Sequence, residues 1–313
     1  MGYTLQAPAL LLISQIAPDL QRIVLGAAPH WNIVQIEKDG GAANYPFPRT
    51  FGIGRRELMT ELYRAASNIG VSVVEERIGP ARLIELRTEF DLVVVASGEN
   101  AALLNDIYAS VSAPSSAKSN RYLWTKVARQ TDAIALRFLQ REGWSALITE
   151  YPIGPAESSL ILECGSTFDA EVPDQNEYQQ AIINALVSSR YPDIVGWVRG
   201  ARWRENIPRR ASYLAKENVV FIGDAAFSFH YSLGVGLFYA MESARVLAIA
   251  LASSGDVPTA LSIYRVSVDR PFQRIQTRSV ARMNWLIRTL NGGVFGSLEA
   301  LHSGYEMSGS GLV

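Results

Sequence analysis

One stretch constrains the fold of this chain more than any other: Asn218–Ala244, NVVFIGDAAFSFHYSLGVGLFYAMESA. Val219–Ile222 is a short, continuous apolar run of the kind that forms a strand covered on both faces. Gly223-Asp224 closes it, a loop follows, and Gly234-Val235-Gly236 opens a helix expected to run to Leu251 with Leu237, Met241, Ala244, Leu247 and Leu251 inward. Gly223 permits a tight turn, and Asp224, at the carboxyl end of the strand, is placed to accept hydrogen bonds from a polyol or ribose. Gly234 and Gly236 let the backbone approach a ligand closely, and the N–H groups at the helix entry favour negative charge. Either element alone reads as an ordinary turn or an ordinary helix entry. Their order, strand to Gly-Asp to Gly-x-Gly to helix, points to α/β architecture with a ligand at the strand end.

The rest of the chain divides around this element. Trp31–Glu37 alternates apolar and polar side chains, the period of a half-buried strand, and Asp39-Gly40-Gly41 turns the chain. Leu58, Leu62, Ala65, Ala66 and Ile69 share one helical face, and Gly70 supplies the stop before an expected strand at Val71–Glu75. Asp91–Ala96 is a second buried strand, followed by Ser97-Gly98. Ser112–Ser119, rich in Ser, Ala and Pro, marks a boundary. Beyond it Tyr122–Val127, Ala133–Leu139, Trp144–Glu150 and Ser159–Glu163 read as short strands of an antiparallel sheet. Asp174 and Glu177 open a helix as a capping box, with Tyr178, Ile182, Ile183 and Leu186 inward. Asp256 caps a later helix, which Pro271 is expected to break or kink. The expected organisation is a discontinuous α/β domain over residues 1–119 and 210–290, an inserted sheet domain over 120–209 and a flexible tail over 291–313. A substrate pocket is expected where sheet and α/β domain meet.

Charge and composition exclude several function classes. Lys and Arg number 29 against 30 Asp and Glu, which leaves no basic surplus for nucleic acid or an anionic membrane. No run of ~18 uninterrupted apolar residues offers a membrane span. The apolar run Pro8–Ile13 lacks the basic flank and the cleavage site of a signal peptide. Cys164 is the sole cysteine, so no internal disulfide forms, and a reducing, cytoplasmic address is expected. His30, His230 and His302 lie in no zinc-ligand spacing, so no metal is expected. Ser166 has no Gly-x-Ser-x-Gly context, and Cys164, after an apolar strand, reads as inert.

A flavin has the needs that the Asn218–Ala244 element meets: ribityl hydroxyls to anchor and a ring edge that becomes anionic on reduction. The stretch resembles the second FAD-contacting motif of the para-hydroxybenzoate-hydroxylase-like flavoprotein monooxygenases. It is most similar to the branch containing anthraniloyl-CoA and salicylyl-CoA monooxygenases and the violacein-pathway hydroxylase. FGIGRREL (Phe51–Leu58), NRYLWTKV (Asn120–Val127) and EYPIGPAESSLILEC (Glu150–Cys164) match the same branch. The resemblance implies a Rossmann-like FAD/NAD(P)-binding domain with an inserted, mainly antiparallel substrate sheet. It implies that Gly223 and Asp224 hold the ribityl chain, that Gly234, Val235 and Gly236 face the isoalloxazine, and that Arg56 lies near the FAD phosphates or ribityl. Read without it, Arg56 is a solvated helix-start arginine.

Ser97-Gly98 stands where the family carries Asp-Gly, a departure that bears on nicotinamide handling. His230 matches a histidine of the branch and is the candidate general base or orienting group; its bland reading is a structural loop histidine. Phe227 replaces a common histidine and offers packing only. Trp124, Trp144 and Tyr151 are candidates for an aromatic pocket wall, and core packing accounts for them equally. The implied activity is hydroxylation of an aromatic or indolic small molecule, CoA thioesters included, with NAD(P)H and O2, through a flavin C4a-hydroperoxide. A homodimer is compatible with this reading.

No Gly-x-Gly-x-x-Gly occurs: Gly52-Ile53-Gly54 is followed by Glu57 and Gly234-Val235-Gly236 by Tyr239, where a third glycine belongs. The family pattern starts near Gly2, after the unit that carries that fingerprint, and three explanations stay open. The chain is a truncated product, it holds FAD weakly through the remaining contacts, or it is a non-catalytic flavin-fold protein that binds a ligand or partner. Edges such as DLVVVA and NVVFI are then expected to invite association. A flavin-dependent halogenase is a weaker reading, because its Trp-x-Trp-x-Ile-Pro motif is absent.

Overall fold

The alternation at Trp31–Glu37 becomes strand β2 (His30–Lys38) in the computed structural model of the chain, with Trp31, Val34 and Ile36 buried. The structure describes residues 1–98, 108–109, 120–141, 144–165, 191, 203–292 and 295–309. The helix expected from Asp174 and the boundary at 112–119 lie outside them. The chain forms two units, one of residues 1–62, 118–206 and 284–307, the other of residues 63–117, 207–283 and 308–313.

The first unit is built on one mixed sheet. Its strands are β1 (Gly2–Leu5), β2, β3 (Gly41–Gly54), β6 (Arg121–Val127), β7 (Ile134–Arg141), β8 (Trp144–Gly154), β9 (Glu157–Cys164) and β10 (Arg204–Glu205). Their order is β1-β3-β2-β7-β8-β9-β6-β10, parallel at β2–β7 and antiparallel at every other pairing. The four predicted strands of the inserted sheet are all present. The first segment of the chain is not where the sequence suggested. β2 hydrogen-bonds to β7 over Val34–Lys38, so residues 30–54 belong to the sheet and not to the α/β part. The long β3 was hidden by Pro46 and Pro48. It absorbs them opposite a register shift, where Trp31 to Ile33 of β2 faces Thr50 to Pro46 of β3. Helices α1 (Ala7–Ile16) and α2 (Pro18–Ala27) each begin with a proline in the first turn, where its missing N–H costs nothing.

Residues expected as a flexible tail form α7 (Leu298–Gly309). Leu301 and Tyr305, one turn apart, are buried with Phe295, and aromatic contacts Phe138–Phe295 (5.4 Å) and Trp285–Tyr305 (6.4 Å) tie the segment to the sheet. Glycine and serine content concealed this packing.

The second unit holds the α/β part. Strand β4 (Val93–Val95) pairs in parallel with β13 (Val219–Phe221), and β12 (Ala215–Lys216) flanks β13 antiparallel. A two-residue pair, β5 (Tyr108–Ala109) with β11 (Arg210–Ala211), lies apart. Helices α4 (Pro80–Glu89), α5 (Gly236–Ser253) and α6 (Val257–Asn291) as far as Met283 complete it. Leu247, Tyr264, Val268 and Phe272 pack with Phe221 and Phe227, and the Tyr264 hydroxyl donates to Phe221 O (2.7 Å). Asp256 caps α6 as expected, accepting from Thr259 N–H (2.8 Å). Pro271 does not end this helix. It removes one backbone bond, but Val268, Phe272 and Ile275 on either side of it are buried and hold the helix on course.

The buried residues of α5 are Ser243, Leu247 and Ala250: Leu247 as expected, with Ser243 and Ala250 in place of Ala244 and Leu251. By length and mean hydropathy (1.2) α5 matches a membrane span, a match that counting uninterrupted apolar residues had not revealed. Glu242 and Arg245 pair at its middle (2.7 Å), and its buried residues belong to this core.

Helix α3 (Arg55–Asn68) stops at Gly70, whose φ of 83° is left-handed, and only Leu58 of the predicted stripe is buried. Val71–Glu75 then runs without a ladder partner among the described residues, with Val71, Val73 and Val74 more than half exposed. A strand needs a neighbour as well as a propensity.

Sequence patterning gave no hint of an ion network buried against the sheet. Arg137 on β7 donates to Glu37 (3.0 Å), to Glu150 (2.6 Å) and to the Tyr191 hydroxyl (2.8 Å), which itself donates to Glu150 (2.6 Å). Arg137, Glu150 and Tyr191 are all buried. Removing one charge strands the other in a low dielectric. Arg137→Met is therefore expected to lower the unfolding free energy by about 3–5 kcal/mol in urea titrations, and Arg137→Met/Glu150→Leu to recover most of the loss.

Candidate cofactor site

In the second unit the carboxyl ends of β4 and β13 lie side by side, because Val95 pairs with Phe221 and Ile222 N–H donates to Val95 O (3.1 Å). Two residues past each strand come Ser97-Gly98 and Gly223-Asp224. Both glycines adopt left-handed φ, 65° at Gly98 and 58° at Gly223, which side chains resist. Gly223 has a second constraint. A Cβ there would sit 3.2 Å from the Ala240 Cβ, so the turn is pressed against α5. Gly223 N–H donates to Ser243 Oγ (2.9 Å), and that hydroxyl donates to Ala240 O (2.8 Å). The strand end and the helix are thus locked together.

Asp224 follows on an exposed 3-10 turn over Gly223–Ala225. Its carboxylate points back at the entry of α5: a Cβ on Gly236 would stand 3.8 Å from Asp224 Oδ1. Gly234 (φ 66°) ends a second 3-10 turn over Tyr231–Leu233, and Val235 precedes α5 with no side chain capping it. A carboxylate acceptor, exposed loop backbone and the uncapped N-terminus of an 18-residue helix therefore converge. That set suits a polyhydroxylated ligand with an electron-rich edge.

His230 lies on the same loop but does not reach solvent. It is 5% exposed, its Nδ1 is 2.8 Å from Ser232 Oγ, and its backbone N–H donates to Ser279 Oγ. Burial, with the nearby Arg282 guanidinium adding to it, pushes its pKa down to about 3. A base that weak is poorly matched to proton abstraction near neutral pH. The geometry makes His230 a neutral group that orders the loop. Ser243, Ser279 and Arg282, which the sequence reading missed, hold this region. The signal for the last two was present: polar residues on the otherwise apolar stripe Ile275, Met283, Leu286 of α6.

The remaining predicted residues fall in the first unit. Arg56 is exposed in the first turn of α3. Trp124 is half-buried and its Nε1–H donates to Ser159 Oγ (2.7 Å). Strand register puts Trp124, Ile161, Ser159 and Tyr151 on one sheet face, since Trp124 pairs with Ile161 and Tyr151 with Ser159. Trp144, an odd number of residues from Tyr151 on β8, is on the other face, so the three aromatics form no common wall. Tyr151 is buried, its hydroxyl donates to Gly2 O (2.9 Å), and burial raises its pKa.

No protein-family model matches the chain. The 3-hydroxy-4-methyl-anthranilyl-[aryl-carrier protein] 5-monooxygenase of Streptosporangium sibiricum is 26% identical over 296 residues, 92% of this chain and 78% of that protein. The salicyloyl-CoA 5-hydroxylase of a Streptomyces species is 27% identical over 279 residues, 82% of this chain but 52% of that protein. Klebsiella pneumoniae HpxO, solved with FAD and uric acid, superposes with a TM-score of 0.64 at 12% identity, over 98% of this chain and 83% of that one.

The chain is thus distantly similar to FAD-dependent monooxygenases of the para-hydroxybenzoate-hydroxylase-like family. Its mixed α/β fold is the fold of that family's solved structures. Members use FAD and act on aromatic substrates with O2. The residues present fit part of an FAD. Asp224 and the α5 entry suit a ribityl chain and a flavin ring edge, while the sequence carries no Gly-x-Gly-x-x-Gly to cradle a pyrophosphate.

The His230 environment makes acid stability testable. The unfolded chain protonates this imidazole near pH 6.5, whereas the folded state keeps it neutral down to about pH 3. The unfolded state binds the extra proton in that window, so stability falls as pH drops through it. At pH 5 the loss is about 2 kcal/mol. Urea titrations of His230→Gln at pH 7.5 and pH 5 are expected to show a smaller drop than the parent protein by that amount, and an unchanged drop contradicts the assignment.

Proposed function

We propose that this chain takes part in FAD-dependent hydroxylation of an aromatic or indolic small molecule, with NAD(P)H as reductant and O2 as oxidant. The observation that carries the reading is the Asp224 carboxylate set against the entry of α5, beside Gly223. Bound FAD supplies electron transfer and oxygen activation. The residues of the chain do the rest. Asp224 accepts hydrogen bonds from ribityl hydroxyls, and Gly234 and Gly236 leave the backbone open to a flat ring. The α5 N-terminus favours negative charge on the ring edge beside it. His230 keeps the Phe229–Leu233 loop in place as a neutral imidazole and takes no proton near pH 7. Trp124, half-buried on the Ser159 face of its sheet, is the predicted aromatic with surface left to meet a substrate ring. A cytoplasmic address, expected from the lone buried Cys164, belongs to the same proposal.

A second reading, a flavin-fold protein that binds a ligand or partner without catalysis, is favoured by one observation. Val94 at the centre of β4 is 43% exposed, unusual for a parallel strand, and β4 has no second neighbour among the described residues.

Flavin content separates the outcomes. On adding FAD to the purified chain, a saturable change in the flavin visible spectrum is expected, and Asp224→Ala should weaken binding about tenfold or more, the scale of one charge-assisted hydrogen bond. No flavin binding removes the first reading. Binding without substrate-dependent formation of a hydroxylated product leaves the second.

A further inference from the structure

A groove of about 750 Å³ in the second unit has no part in the site above. One wall is the segment from β11 to β12, with Arg210, Ser212 and Tyr213; the other is α6, with Ser262, Arg265 and Arg270. The α6 residues that line it recur at helical spacing (262, 265, 266, 269, 270), so one stripe of the helix faces the groove. This stripe faces solvent, where charges of both signs ordinarily mix. Here it carries two arginines and one carboxylate, Asp269.

The charges do not cancel. Asp269 is engaged by Arg210 and by Gln273 Nε2 (2.9 Å), so one carboxylate answers three guanidinium groups. Arg265 reaches the neutral Ser262 Oγ (3.2 Å). Arg210 Nε is buried and has no hydrogen-bond partner. Lys216 adds a further cation beside this wall, its Nζ 5.5 Å from the Tyr213 ring centroid. The other nearby carboxylates, Asp91 and Glu217, line a neighbouring cavity that shares Arg265, and Glu217 is paired with Arg87. Leu214 and Val266 give the groove apolar surface, and Val266 is 79% exposed, a solvated cost unless something covers it.

We propose that this groove binds an organic phosphate, through two or more phosphoryl oxygens on the arginines and an organic part against Tyr213, Leu214 and Val266. Guanidinium groups hold phosphate oxygens in paired, directional hydrogen bonds, and the Ser212, Ser262 and Tyr213 hydroxyls add neutral donors. The groove is several times larger than a carboxylate requires, and its arginines come from two elements, Arg210 from β11 and Arg265 and Arg270 from the exposed face of α6. The inference does not rest on catalysis, nor on FAD binding at Asp224. Arg210 connects the two regions by its backbone bridge to Phe227, whose ring its guanidinium overlies at 5.7 Å.

The test is calorimetric titration of the purified chain with ADP, with adenosine and inorganic pyrophosphate as controls. Saturable binding of ADP and of pyrophosphate is expected, weakening as salt rises, with none for adenosine. Arg265→Ala/Arg270→Ala should weaken ADP binding about tenfold or more, the scale of a lost charge-assisted hydrogen bond, and Asp269→Asn should tighten it. Arg265 and Arg270 are exposed, so the variant folds, and far-UV circular dichroism checks it. The proposal fails if no heat saturates, or if the double variant binds ADP as the parent does, which places the ADP outside the groove. Failure of FAD binding at Asp224 leaves these outcomes untouched.

Discussion

At Gly223 the chain meets two demands that only glycine satisfies together. The backbone must turn through a left-handed φ directly after a buried strand, and it must do so with α5 close enough that a Cβ would press on Ala240. The Ser243 hydroxyl completes the lock, accepting from Gly223 N–H while donating to Ala240 O. Everything the site offers depends on this close approach. It sets Asp224 against the first turn of α5, fixes where the uncapped helix entry points, and aligns both with the Ser97-Gly98 turn at the end of β4. A methyl group at Gly223 would press on Ala240 from a backbone conformation that side chains resist, so strand end and helix would have to shift.

Buried polar groups are handled in two different ways in the two units. Against the mixed sheet, the buried Arg137 guanidinium is matched by the Glu37 and Glu150 carboxylates and the Tyr191 hydroxyl. In the loop after Asp224, His230 is kept neutral because its surroundings offer Ser232 and Ser279 hydroxyls and the Arg282 cation, none of which favours a second proton. The first arrangement ties strands together through charge. The second gives a rigid loop at the expense of basicity.

The electrostatic character of the cofactor site follows from backbone as much as from side chains. An 18-residue helix with no capping side chain presents its N–H groups at Gly236, next to an exposed carboxylate. A carboxylate acceptor and a positive dipole end thus stand side by side, a Cβ on Gly236 lying 3.8 Å from Asp224 Oδ1. In the arginine groove the balance is reversed: side chains supply the field and the backbone only spaces them along α6.

Much of this was legible in the residues. The strand–Gly-Asp–Gly-x-Gly–helix order located the candidate site, and apolar runs bounded by turns located the sheet strands, because both signals are local and periodic. Less local features escaped. Pro46 and Pro48 disguised β3, whose irregularity is absorbed by its partner; glycine and serine disguised α7, which is held by aromatic contacts distant in sequence. Val71–Val74 has the composition of a strand and is not one, since a ladder needs a neighbour that no local pattern can report. By itself the sequence determined which segments are strands and helices and which glycines must turn, since these follow from backbone sterics and side-chain period. Only the tertiary structure decided the allocation of residues 30–54 to the sheet, the face on which Trp144 stands and the protonation of His230, since strand register and burial arise from contacts between segments far apart in the chain.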